Sequence, residues 1–202
     1  MKTLIADEQL TSDQLQIAQR VLSGESLFLT GPAGSGKSFL FRYLIQELLK
    51  KFLNHSSESL AITAPTGIAA INVNGQTIHS WAGVGLGRGD VNDLVKKVRK
   101  SIQVTQRWSS CQVLLIDEIS MLNYELFEKL STIGRRIRNC PLQAFGGIQV
   151  VCCGDFFQLP PVGLEKFSDY CFKAPSWKEL NMNTVALTEI IRQSGDTLFI
   201  NM

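Results

Sequence analysis

GPAGSGKS at positions 31–38 is a glycine-rich stretch between two apolar patterns. Its residues are Gly31, Pro32, Ala33, Gly34, Ser35, Gly36, Lys37 and Ser38. The apolar run before it predicts a strand, and the helical periodicity of residues 39–52 after it predicts a helix. Strand, glycine-rich loop and helix are the context of a P-loop, whose N–H groups surround phosphate oxygens. We therefore expect this stretch to bind a nucleoside triphosphate, with Lys37 on the β- and γ-phosphates and Ser38 on Mg²⁺.

Further apolar runs alternate with helical patterns along the rest of the chain. After a first strand at about residues 26–30, such runs occupy residues 60–64, 113–116, 148–153 and 184–187. Residues 11–13 predict the cap of a helix over about residues 14–22. This alternation predicts an α/β domain with a mainly parallel sheet and helices on both faces. Such sheets bind ligands at the carboxyl ends of their strands.

Composition describes an ordinary globular chain. It has 202 residues, of which 45% are hydrophobic and 19% charged, and a net charge of +2. The hydrophobic and charged fractions exclude a disordered chain, and the length suits one domain. The small net charge excludes a surface that is positively charged overall. The five cysteines have no metal-ligand spacing, which favours reduced thiols in an intracellular compartment. No apolar run reaches the length of a membrane span, and early acidic residues argue against a signal peptide or a mitochondrial presequence.

Two acidic residues, Asp117 and Glu118, follow the apolar run at 113–116 directly. A strand in this position delivers carboxylates to the sheet edge beside the phosphates. We expect Asp117 to hold Mg²⁺ and Glu118 to orient and deprotonate the attacking water. Paired acids after a strand can also cap a helix. The P-loop in the same chain favours the catalytic interpretation.

Two further candidates follow later strands. Gln158 lies in GDFFQLPP, residues 154–161, where a neutral amide can sense a γ-phosphate or a water. The same segment can equally be a turn anchored by two core phenylalanines. Arg192 lies after the last apolar run, where a guanidinium can complement triphosphate charge. Surface arginines are common, so position alone only suggests this role.

Two other loops carry residues suited to a phosphodiester backbone. Thr66 and Gly67 follow the run at 60–64, and His79 and Ser80 lie in the segment TIHSW, residues 77–81. Hydroxyls and backbone amides can contact phosphates, and His79 or Trp81 can stack on a base. Without further information, a helix cap at Thr66 and a core position for Trp81 are favoured.

Together these segments resemble the N-terminal motor half of the Pif (petite integration frequency) DNA helicases, relatives of RecD in superfamily one. The matching segments appear in the family's order from about residue 11 to the chain end. They are GPAGSGKS (31–38), TAPTGIAA (63–70), GQTIHSWAGVGLG (75–87), LLIDEISML (114–122), FGGIQVVCCGDFFQLPPV (145–162) and IIRQ (190–193). TIHSWAGVGLG and GDFFQLPPV, which contain neither the P-loop nor the acidic pair, are highly specific to this group.

The resemblance implies an ATP-dependent 5′→3′ DNA helicase that hydrolyses ATP with Mg²⁺ and moves on single-stranded DNA. Under this resemblance, Gln14 recognises adenine and Arg192 contacts the γ-phosphate. Gln158 couples the state of the nucleotide's phosphates to the binding of DNA. Thr66, Gly67, His79 and Ser80 then line the DNA path, which reverses the preference stated above for these four residues. The implied settings are DNA repair, recombination, replication or telomere maintenance, in the nucleus or the mitochondrion. The oligomeric state stays open.

The family pattern also includes a second motor domain that these 202 residues do not contain. We expect residues 1–202 to form a single RecA-like ATPase domain. Alternating closure of two domains around ATP is what moves the DNA. This chain by itself is therefore expected to hydrolyse ATP weakly and not to unwind duplex. The alternative is a stand-alone module that binds ATP and single-stranded DNA without helicase activity.

Overall fold

A parallel sheet forms the centre of the molecule. The computed structural model describes residues 4–158, 160 and 167–188. Within this part of the chain six strands pair, and every pair is parallel. The strands are β1 (Leu27–Thr30), β2 (Leu60–Ala64), β3 (Gln76–Thr77), β4 (Val113–Ile116), β5 (Gln149–Cys153) and β6 (Asn183–Ala186). The predicted α/β fold with a parallel sheet is confirmed.

Helices fill the connections between strands. Those of the described residues are α1 (Ser12–Leu22), α2 (Lys37–Lys51), α3 (Gly67–Asn72), α4 (Ile78–Ala82), α5 (Val91–Lys100), α6 (Ile102–Ser110), α7 (Tyr124–Ile137) and α8 (Pro175–Glu179). The predicted cap of α1 is present, because the Thr11 side chain accepts a hydrogen bond from Gln14 N at 3.2 Å. Short 3₁₀ turns complete the chain, among them Ile119–Met121 after β4. No helix among the described residues is long and apolar enough to span a membrane.

The order of the strands brings distant motifs together. Across the sheet it is β3-β2-β4-β5-β1-β6. The strand before the P-loop, β1, therefore neighbours β5, and β5 neighbours β4, although these strands are far apart in sequence. Because all strands run the same way, their carboxyl ends meet at one edge. The P-loop, the acidic pair and the loop with Gln158 follow strands that end there.

Apolar residues cover both faces of the sheet. In β4, Leu114 and Ile116 pack with α4–α7 on one face, while Val113 and Leu115 pack with α1 and α2 on the other. The adjacent thiols follow the same alternation, since Cys152 belongs to the first cluster and Cys153 to the second. Burying each of the four β4 side chains contributes about 1.5–3 kcal/mol to the free energy of unfolding. The two clusters therefore hold the helices against the sheet.

Two details of the sheet differ from the sequence expectation. Strand β3 was not predicted, because Gln76 and Thr77 carry no apolar run; they are a strand only through pairing with Thr63 and Ala64 of β2. Strand β6 begins one residue earlier than the apolar pattern indicates. It lies at the sheet edge and is largely exposed, so its register follows pairing with β1 rather than burial.

Candidate functional site

The P-loop joins β1 to α2 at the carboxyl edge of the sheet. Gly31 and Gly36 have φ angles of 141° and 86°, and residues that carry a Cβ rarely adopt such angles. A Cβ at position 31 would also lie 2.4 Å from the Leu187 carbonyl oxygen, so only glycine permits this approach. The loop ends at the N-terminus of α2, whose unpaired N–H groups and partial positive charge suit a phosphate.

Lys37 is the first residue of α2, and its side chain lies back over the loop. Its Nζ donates hydrogen bonds to the carbonyl oxygens of Gly31 and of Pro32, the latter at 2.8 Å. Its positive charge also reaches the end of β4, where it acts to lower the pKa of Asp117 against larger opposing effects. The ammonium group therefore lies on the phosphate loop and is close enough to Asp117 for its charge to be felt there.

A small cavity of about 110 Å³ lies beside the P-loop. Gln14 from α1, Ser35 from the loop and Leu187 after β6 contribute to its lining. The Ser35 hydroxyl is 1% exposed and is the one buried side-chain oxygen or nitrogen among the described residues without a hydrogen-bond partner. Gln14 Oε1 accepts from Thr11 N at 3.1 Å, which holds the amide in place beside the cavity. From the sequence, Ser35 was predicted only as part of the P-loop, because the burial of its hydroxyl depends on the folded chain around it.

Asp117 and Glu118 directly follow β4, and the backbone of Glu118 is in an unusual conformation. Glu118 has φ 51° and ψ 42°, a left-handed conformation that non-glycine residues adopt at a cost, and such strain is concentrated at functional sites. Asp117 is 8% exposed, and its Oδ1 accepts from Glu118 N at 3.0 Å. Burial, followed by the charge of Glu118, raises the pKa of Asp117 to about 6. The Asp117 carboxylate is therefore held in a place where its charge is unfavourable unless a cation joins it.

Asp117 and Ser38 fit a magnesium ion. Both offer oxygen, the ligand atom that Mg²⁺ prefers. A cation would also offset the burial and the repulsion that raise the pKa of Asp117. In the part of the chain that the structure describes, no group of three or more His, Cys, Asp or Glu side chains gathers. One or two protein ligands suffice for Mg²⁺, which keeps several waters and binds substrate phosphates.

Replacing Asp117 by asparagine is expected to stabilise the fold. The folded state holds the Asp117 proton more tightly than the unfolded chain, so this group's contribution to the free energy of unfolding falls as the pH rises from about 4 to about 6. At pH 8 the Asp117→Asn chain should therefore be more stable than the wild type by about 2–3 kcal/mol, and at pH 4 equally stable. Urea unfolding at both pH values measures this. Asp90→Asn is the control, because the pKa of Asp90 is lowered and no stabilisation follows. Equal effects of the two variants at pH 8 contradict the prediction.

The loop after β5 carries Gln158 to the same edge. A Cβ on Gly154 would lie 3.0 Å from Ile119 N, so the loop packs closely against the turn that follows Glu118. Gln158 is exposed, and its Nε2 donates to Asp155 Oδ2 at 2.8 Å. Asp155 itself is 8% exposed. Asp155 was not among the predicted site residues, although a carboxylate closely following a strand is the signal that identified Asp117. Arg192 lies outside the described residues.

The four candidate DNA contacts lie side by side after β2 and β3. Thr66 caps α3 by accepting from Ala69 N at 3.3 Å, and Gly67 begins that helix. His79 and Ser80 lie on α4. Because Ala64 pairs with Thr77, the two helices start at neighbouring points of the edge. Gly67 and Ser80 are exposed, and partial burial lowers the pKa of His79, which favours the neutral imidazole.

Trp81 belongs to the core. It is 2% exposed, and its ring centroid lies 4.5 Å from that of Trp108. The Trp108 indole in turn donates to the Ala82 carbonyl oxygen at 3.2 Å. A side chain buried to this extent leaves no face for a base, so the core interpretation holds and stacking on DNA does not.

Much of this sequence is shared with known proteins. Residues 9–199 match the family described as PIF1-like helicase. The ATP-dependent DNA helicase PIF1 of Candida albicans is 45% identical over 205 residues, covering 96% of this chain and 22% of that protein. The ATP-dependent DNA helicase RRM3 of Saccharomyces cerevisiae is 39% identical over 193 residues, covering 94% and 26%. The chain thus spans about a quarter of the length of these relatives.

Solved structures show the same relationship. The crystal structure of Pif1 helicase from Candida albicans matches with a TM-score of 0.84 at 45% identity, over 93% of this chain and 41% of that one. Pif1 helicase from Bacteroides, solved in complex with ADP-AlF3 and single-stranded DNA, matches with a TM-score of 0.74 at 30% identity, over 93% and 44%. With the family match covering nearly every residue, this chain belongs to the PIF1-like helicase family.

Proposed function

We propose that this chain is the first motor domain of an ATP-dependent DNA helicase that couples ATP hydrolysis to 5′→3′ movement on single-stranded DNA. Membership of the family and the names of its relatives support the activity. The Bacteroides relative solved with ADP-AlF3 and single-stranded DNA supports the two ligands. The proposal includes the biological processes that the resemblance implies, which are DNA repair, recombination, replication or telomere maintenance. It also includes their location in the nucleus or the mitochondrion.

One observation carries the proposal. The P-loop with Lys37, the acidic pair with Glu118 and the loop with Gln158 follow three neighbouring strands, β1, β4 and β5, at one edge of the sheet. Their separation in sequence exceeds a hundred residues between the first and the last. Only the strand order brings a phosphate loop, a candidate base and a candidate γ-phosphate sensor into one site.

Each residue of this site has a defined task in hydrolysis. Lys37 leaves the loop carbonyls to bind the β- and γ-phosphates and offsets the charge that develops on them. Glu118 takes the proton of the attacking water and orients that water. When bound, Mg²⁺ neutralises phosphate charge, and Ser38 and Asp117 are the residues that would hold it. Arg192 is proposed as a further γ-phosphate contact.

The base of the nucleotide is proposed to enter the cavity beside the P-loop. Among the described residues no partner is seen for the Gln14 amide nitrogen, and Oε1 keeps a second lone pair, which together match a base that both donates and accepts. Adenine has such an edge, and the resemblance of Gln14 to the family's adenine-reading glutamine favours ATP as substrate. The unpartnered Ser35 hydroxyl on the same cavity supports a polar ligand there.

Single-stranded DNA is proposed to lie along the neighbouring part of the edge. The exposed Ser80 is a suitable contact, because its N–H is used by Thr77 and its carbonyl by Arg107, while its hydroxyl has no intramolecular partner among the described residues. A hydroxyl of this kind donates to a phosphate oxygen. Thr66, Gly67 and His79 complete the proposed path.

Ser80→Ala is expected to weaken binding of single-stranded DNA about fivefold, because one neutral hydrogen bond contributes about 1 kcal/mol. Fluorescence anisotropy with a labelled oligonucleotide measures the Kd. The slope of log Kd against log salt concentration should stay unchanged, since no charge is removed. Ser57→Ala is the matched control, because Ser57 is exposed at the opposite, amino end of β2. If both variants bind like the wild type, or both lose affinity equally, Ser80 is not a DNA contact.

A further inference from the structure

Asp155 is a buried carboxylate without an assigned role. It follows Gly154 after the end of β5 and is 8% exposed. Its Oδ1 accepts from Phe157 N at 3.0 Å, and its Oδ2 accepts from Gln158 Nε2 at 2.8 Å. Gln158 N also donates to the Asp155 carbonyl oxygen at 3.1 Å. These three hydrogen bonds within four residues hold the Gln158 segment to Asp155.

The chemistry of the pair determines which end of the Gln158 amide is free. A carboxylate can only accept hydrogen bonds, so the amide must present its nitrogen to Asp155. The oxygen Oε1 then lies on the other branch of the amide and remains an acceptor. Fully ionised phosphate oxygens carry no hydrogen, so Oε1 cannot bond to them, whereas a water molecule can donate to it.

We infer that Asp155 is a positioning residue that orients the Gln158 amide so that Oε1 accepts a hydrogen bond from the attacking water. This inference rests on the proposed ATP hydrolysis. The close packing of Gly154 on the turn after Glu118 supports it, because that contact holds the Gln158 loop beside the proposed base. A water between Glu118 and Gln158 would donate one hydrogen to each.

Exchanging donor and acceptor across the pair tests the inference. In Gln158→Glu two carboxylates face each other, and kcat is expected to fall about 100-fold. In Asp155→Asn the oxygen of the new amide can still accept from Phe157 N. Because an amide can both donate and accept, it no longer fixes which end of the Gln158 amide faces position 155, and kcat is expected to fall about tenfold. In the double variant the amide introduced at position 155 donates to the carboxylate introduced at position 158. The second oxygen of that carboxylate then takes the place of Oε1.

The double variant is expected to recover kcat to within about tenfold of the wild type, where independent effects would give a loss of about 1,000-fold. Its KM for ATP should rise, because a carboxylate then lies near the phosphates. Rates are measured at saturating ATP and single-stranded DNA, with urea unfolding of each variant to confirm folding. Wild-type kcat in Asp155→Asn, or a double variant no better than the product of the single effects, overturns the inference.

A second measurement separates this inference from the proposed function. In NMR spectra of the nucleotide-free chain, one side-chain amide proton of Gln158 should be shifted downfield in the wild type and not in Asp155→Asn. If this difference is seen while hydrolysis is insensitive to Lys37→Ala, the orientation is correct and the proposed ATPase function is wrong. If the spectra of the two chains agree at Gln158, the orientation is wrong whatever the ATPase result.

Discussion

In the two-domain helicase to which this chain is proposed to belong, Lys37→Ala is expected to reduce ATP hydrolysis by about 1,000-fold. The ammonium group stabilises negative charge that grows on the phosphates in the transition state, and removal of one such donor typically costs about 10²–10³-fold in rate. ATP affinity should fall as well, because the same charge contacts the bound substrate. Release of inorganic phosphate, with and without single-stranded DNA, measures the rate, and fluorescence titration with a labelled ATP analogue measures the affinity.

Lys50→Ala is the matched control for this variant. Lys50 lies on the same helix, near its C-terminal end, and pairs with Glu47 at 2.6 Å. An exposed pair of this kind contributes little to stability, so the control should behave like the wild type. If, in the helicase that contains both motor domains, Lys37→Ala retains the wild-type rate within a factor of about two, or hydrolysis does not respond to single-stranded DNA, the proposed function is wrong.

Glu118→Gln is expected to lower the hydrolysis rate by about 10²–10⁴-fold while nucleotide binding is retained. A general base contributes a factor of this size, and glutamine cannot take the proton. The substitution preserves side-chain shape and brings no new backbone strain, since the left-handed conformation is already present. It also removes the charge that raises the pKa of Asp117, so Mg²⁺–ATP should bind at least as tightly.

The two substitutions can be told apart by one pair of measurements. Lys37→Ala should lower both rate and affinity, whereas Glu118→Gln should lower the rate alone. Glu125→Gln serves as the control for the second, because Glu125 is a largely exposed acid on α7 that pairs with Lys129. A Glu118→Gln chain that loses ATP binding together with hydrolysis contradicts the role of general base.

Local patterns predicted most of the fold. The apolar run at 60–64 and the one at 113–116 coincide with β2 and β4, and the cap at Thr11 begins α1 as expected. These elements are encoded by side-chain periodicity and by caps within a few residues of each other. Strand β3 lacks such a pattern. It exists because β2 offers free hydrogen-bonding groups, which no local rule reports.

The candidate site divides in the same way. Lys37, Asp117 and Glu118 could be named from the sequence, since a motif next to a predicted strand places them at the sheet edge. Asp155 and the unpartnered Ser35 hydroxyl could not, because their importance comes from burial and from hydrogen bonds made in the folded chain. Trp81 shows the converse: an aromatic residue in a predicted DNA-contact segment packs against the distant Trp108.

The sequence carries the phosphate-binding loop, because glycine spacing, a preceding strand and a following helix lie close together in the chain. Tertiary structure decides what surrounds that loop. Only the order β4-β5-β1 brings the acidic pair, the loop with Gln158 and the P-loop to the ends of neighbouring strands, and only the folded chain buries Asp117 enough to raise its pKa. The reason is physical: backbone conformation is set by near neighbours, whereas burial and electrostatic environment sum over contacts between residues distant in the chain.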